Sequence, residues 1–96
     1  MSKKEILNIL SRSKSTLHKK YRIRELGLFG SYVRNENSTE SDVDILVEFD
    51  EVPDLLTFVE IEAYLEKILN AKVDLVRKKA LRPELREFIL NEVHYA

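Results

Sequence analysis

"GSYVRNENSTESDVDILVEF", residues 30–49, holds a turn and a strand in one run, and its reading decides the fold. Val43, Ile45, Val47 and Phe49 alternate with Asp42, Asp44, Leu46 and Glu48, the period of a β-strand with one apolar face. Side chains two positions apart share a face, so Asp42 and Asp44 project together while Val43 and Ile45 turn towards a core. Upstream, Gly30 stops an apolar strand that begins near Ile23, and a short helix fits residues 31–36. Asn35, Asn37, Ser38, Thr39 and Ser41 then supply turn chemistry before the second strand.

Outward from this stretch the elements alternate in type. Ser2 followed by Glu5 is a capping-box pattern, and Ile6, Ile9, Leu10 and Leu17 recur at helical spacing, which predicts a helix from residue 3 to about 20. Beyond Pro53, Asp54 caps a second long helix whose stripe is Leu55, Phe58, Val59, Ile61, Leu65, Ile68 and Leu69. Lys72–Val76 reads as a third strand, with Asp74 pointing away from Val73 and Leu75. Pro83 suits the first turn of a last helix, with Leu85, Phe88, Ile89 and Val93 expected on its buried side. The sum is an α+β domain of α/β type, a small mixed sheet flanked by helices.

Composition narrows the function classes. Ninety-six residues, 44% hydrophobic and 34% charged, suit one globular domain over residues 1–96, with a modest core. There is no Cys, which excludes disulfides, thiolate metal sites and cysteine nucleophiles. The first residues, MSKKEILNILSRSK, are broken by charge too often for a signal peptide or a membrane span, so a cytoplasmic protein is expected. The formal net charge of -1 hides segregation: residues 35–66 carry eleven acidic and no basic side chains, whereas residues 1–34 carry nine basic and two acidic. Near-neutrality lacks the broad positive field of a dedicated nucleic-acid binder. The acidic middle suits a cation site, or helix surfaces that simply differ in charge.

If the third strand lies beside the second, Asp42, Asp44 and Asp74 meet on one face. Two carboxylates about 6 Å apart at an effective dielectric of roughly 20 repel by about 3 kcal/mol, a sizeable fraction of a small domain's stability. A bound cation relieves that repulsion, and oxygen ligands suit Mg2+ or Mn2+. Gly30 lets the backbone approach a ligand closely, and Ser31 adds a hydroxyl and helix-terminal amides suited to phosphate. Arg34, one turn on, can add a charge-assisted contact. Phosphate cradle and carboxylate metal site together describe a nucleotidyl-transfer centre.

Gly30, Ser31, Asp42 and Asp44 stand in the register of the GSx10DxD signature, so the chain resembles the polymerase-β-like nucleotidyltransferase superfamily. Chance produces such a match in a chain of this length on the order of one time in a thousand. The closing "KVDLVRKKALRPELREFILNEVHYA" is similar to the end of the minimal nucleotidyltransferases, the MNT proteins, so the resemblance spans nearly the whole chain. It implies ATP as substrate with two Mg2+ ions, Asp42 and Asp44 as ligands of both ions, and Asp74 as third carboxylate and base. It implies Gly30, Ser31 and Arg34 at the nucleotide. It further implies a partner, since many MNT proteins are antitoxins that adenylylate a tyrosine of a helical HEPN ribonuclease toxin. Two alternatives remain open at this stage: masking of the partner without chemistry, and transfer to a small hydroxylated molecule. Val33 and Asn35, flanking Arg34, depart from the Ala and Gly frequent in that family.

Overall fold

A computed structural model describes residues Met1–Ala96. Helix α1 (Lys3–Tyr21) leads into β1 (Ile23–Phe29), a single turn of helix α2 (Ser31–Arg34) and β2 (Val43–Phe49). Then follow α3 (Leu55–Leu69), β3 (Val73–Arg77), a 3-10 turn (Lys78–Ala80), α4 (Pro83–Glu92) and the two-residue strand β4 (His94–Tyr95). The strands form one sheet in the order β3-β2-β1-β4, with β2 parallel to β3 and the other pairings antiparallel.

Local chemistry sets the element ends. The Ser2 hydroxyl accepts from the Glu5 amide while the Glu5 carboxylate accepts from the Ser2 amide, and both bonds satisfy donors that α1 leaves open. Asp54 caps α3 through the Thr57 amide at 2.8 Å. Arg22, Asn35 and Asn70 end α1, α2 and α3 in the left-handed conformation.

One sheet face carries the main core: Ile6, Leu10, Leu17 and Tyr21 of α1 and Ile61, Leu65 and Leu69 of α3 pack on Leu26, Leu28, Val43, Ile45 and Val47. An irregularity between Ile23 and Glu25 breaks the strict alternation of β1, so Ile23 joins Leu26 and Leu28 in that cluster despite its odd spacing. The opposite face is only partly covered. There Phe29, Leu46 and Leu81 form a small second cluster beneath Ile89, Leu90 and Val93. Leu46, expected with the polar side of β2, is thereby 2% exposed.

That packing corrects the expectation for the last helix. Leu85 and Phe88 are 46% and 58% exposed, whereas Ile89 and Val93 pack on the sheet as expected, joined by Leu90. The short strand β4 was not anticipated. It pairs Tyr95 with Gly27 and His94 with Leu28, and Gly27 makes room for the approach to it, since a Cβ there would stand 2.5 Å from Val93 Cγ2 and 3.2 Å from the Tyr95 ring.

On the outer edge of the sheet, α3 lends two carboxylates to β3: Glu66 accepts from the Val73 amide at 3.0 Å and Glu62 from the Leu75 amide at 3.3 Å. No helix is long and apolar enough to cross a membrane.

Candidate active site

The uncovered end of the second sheet face is where the expected residues gather. Parallel pairing sets Asp44 of β2 directly beside Asp74 of β3, and antiparallel pairing sets Asp44 opposite Phe29 of β1. Directly opposed residues share a face, so the two carboxylates stand side by side at the mouth of the sheet. Asp42, exposed, immediately precedes β2.

The chain leaves β1 at Gly30 and passes close against the Asp44 member of this pair. Gly30 adopts φ 81 and ψ -153, backbone that a residue with a side chain rarely takes. A Cβ at that position would also run into the Asp44 carboxylate. Glycine is therefore required twice, for conformation and for the closeness of turn and carboxylate. Ser31 opens α2, whose first amides have no partner within the helix.

Electrostatics follow the geometry. Half-burial, the neighbouring Asp74 and then Asp42 push the Asp44 carboxyl up to about 6 from its usual 3.8, with Arg34 pulling the other way. These oxygens are hard donors, suited to Mg2+. No three His, Asp or Glu side chains are gathered closely enough to cage an ion by themselves. The expected cluster of Asp42, Asp44 and Asp74 is therefore not closed around one point. Mg2+ is commonly held by one or two carboxylates with substrate phosphates completing the shell, and two of these side chains would suit a metal that arrives with a nucleotide.

Arg34 is placed differently from the simple expectation of a free phosphate ligand. Its Nε donates to Glu36 at 2.8 Å, and its Nη1 donates to both oxygens of Glu92 at 2.9 and 3.0 Å. Glu92 Oε2 also accepts from the Gly30 amide at 2.8 Å. Sequence reasoning missed Glu92. It comes from the end of α4, 62 positions from Gly30, and no local pattern marks it. Beside the carboxylates opens a groove of about 860 Å3, lined by Tyr32, residues 37–42 and residues 70–72. It reaches Asp42 but not Asp44 or Asp74.

The profile of the nucleotidyltransferase domain matches residues 4–96. The chain belongs to that family. Among relatives, this nucleotidyltransferase is 50% identical over 91 residues to the protein adenylyltransferase MntA of Thermococcus cleftensis, covering 95% of this chain and 92% of that one. A solved structure described as a minimal nucleotidyltransferase superposes with a TM-score of 0.75 at 31% identity, covering 98% of this chain and 95% of the other. A complex from Shewanella oneidensis, a tri-AMPylated HEPN toxin with an MNT antitoxin, shares the fold at a TM-score of 0.65 and 24% identity, covering 93% of this chain and 68% of that one.

Proposed function

We propose that this nucleotidyltransferase moves AMP from ATP onto a tyrosine of a partner protein, a HEPN-type ribonuclease toxin, and so acts as its antitoxin in the cytoplasm. The observation that carries the reading is Asp44, seated against the Gly30 turn and in register with Asp74 on the neighbouring strand. The named relatives support the adenylyl group and the acceptor class: one is a protein adenylyltransferase, and a fold neighbour is bound to a toxin bearing AMP.

In the proposed step the tyrosine oxygen attacks the α-phosphorus, the bond from that phosphorus to the bridging oxygen breaks, and pyrophosphate leaves with the electron pair. Asp74, exposed at the rim, takes the tyrosine proton. Asp42 and Asp44 would hold Mg2+, which when bound lowers the cost of charge on the attacking and departing oxygens. Gly30 lets the backbone approach the phosphate chain closely, Ser31 offers its hydroxyl and helix-terminal amide to it, and Arg34 adds its charge.

The test is transfer of labelled AMP to the toxin encoded beside this chain, in the presence of Mg2+. Asp42→Ala with Asp44→Ala is expected to cut labelling by at least about 100-fold. Neutralisation of the toxin that survives this double substitution, with no label in the wild type, overturns catalysis in favour of masking.

A further inference from the structure

The last turns of α4 bring to the site side chains that the turn and the three aspartates do not account for. Glu92 has a side chain only 12% exposed, although it adds a fourth carboxylate to an acidic corner. Such a placement is unfavourable unless its partners are strong ones. Its three contacts are the Gly30 amide on Oε2 at 2.8 Å, Arg34 Nη1 on Oε2 at 3.0 Å and the same nitrogen on Oε1 at 2.9 Å. One turn earlier on α4, the Phe88 ring centre lies 5.8 Å from the Arg34 guanidinium carbon. On the other side, Glu36 receives Arg34 Nε at 2.8 Å.

A guanidinium is planar, so fixing Nε and Nη1 fixes the whole group, and Nη2 keeps its pair of donors for another acceptor. Phosphate oxygens suit such a preset pair. Without its clamp the arginine would have to be immobilised when the ligand binds, and that ordering weakens affinity.

We infer that Glu92 is a positioning residue for the nucleoside triphosphate: with Phe88 it locks Arg34 against the Gly30 turn, so that Nη2 meets the phosphates that do not react. The inference rests on the nucleotidyl-transfer reading of the same site. It assigns Glu92 no contact with the nucleotide itself.

The experiment is calorimetric titration with Mg2+ and either AMP-PNP or AMP into the wild-type chain, Glu92→Gln, Arg34→Ala and the combined variant. Glutamine keeps the size and the acceptor for the Gly30 amide but loses the charge that holds Arg34. Expected is about tenfold weaker AMP-PNP binding by Glu92→Gln, little change for AMP, and no further loss when Glu92→Gln is added to Arg34→Ala. Should Glu92→Gln fail to fold, Glu92→Asp, which keeps the charge but falls short of both partners, carries the comparison with an intermediate loss expected. Unchanged AMP-PNP affinity overturns the inference alone. So does tighter binding, which would make Glu92 a competitor for the phosphate donors, and so does an equal loss for both nucleotides that persists without Arg34. A wild-type chain that binds no AMP-PNP overturns the nucleotidyl-transfer reading and the inference with it.

Discussion

Asp44 is half-buried between Asp74 and the turn, and the fold raises its carboxyl to about 6 from 3.8. A carboxyl whose folded value lies above its unfolded one stabilises the fold only when protonated. The metal-free chain therefore loses stability as pH climbs from about 4 through 6, and bears the full cost above that. Since the group is only half-buried, solvent screening discounts the cost to about 1 kcal/mol. Asp44→Asn is accordingly expected to melt about 4–8 °C higher than wild type at pH 7.5 in EDTA, and no higher at pH 4. Calorimetric melts at both values check this, and an equal or lower melting point at pH 7.5 would refute it. Gly30→Ala goes the other way. With φ 81 and the Asp44 carboxylate in the space a Cβ needs, it should cost at least about 2 kcal/mol, read as a fall in the denaturant midpoint.

At the level of elements, α4 separates what the covered sheet face does from what strand alternation alone would suggest. Leu46→Ala should destabilise by about 2–5 kcal/mol, because Leu46 fills the cluster with Phe29 and Leu81. Leu85→Ala should stay within about 0.5 kcal/mol, because that side chain is 46% exposed. Urea midpoints of the two variants decide whether α4 seats as described. The helices α1 and α3 and the strand β2 were legible as elements because their apolar positions repeat at one period over many residues, although Leu55 and Val59, counted in the α3 stripe, lie exposed at its first turns. In α4 the same rule misplaced Leu85 and Phe88: its ten residues offer several apolar stripes, and only the tertiary contact with Leu46 and Leu81 selects one. β4 left no pattern at all, being two residues paired by proximity to β1. At the site, Gly30, Ser31, Asp42 and Asp44 were readable as a local motif, and Asp74 through its strand setting. Glu92 was not, since its role exists only once α4 has folded back over the turn.

Across the whole molecule, the acidic middle third turns out to be spent in several places. Glu36 serves Arg34, Glu48 and Asp50 face Arg24, Asp54 caps α3, and Glu62 and Glu66 meet backbone amides, while Asp42 and Asp44 stand at the site and Glu40 lines the groove beside it. Block charge overstated how concentrated the cation-binding character would be. On the surface, Leu55 and Leu56 of α3 are 76% and 83% exposed, and replacing both with Ser should leave the melting point nearly unchanged, within about 0.5 kcal/mol for each. A larger fall would show that they pack within the fold. The glutamates seated on β3 have a further consequence for how copies of the chain treat one another. An unpaired outer strand is a template on which a neighbour's backbone can extend the ladder, and here the outward donors of Val73 and Leu75 are already occupied by charged side chains. Glu62→Ala with Glu66→Ala should bare that template, and light scattering at rising concentration should then report self-association that the parent chain does not show.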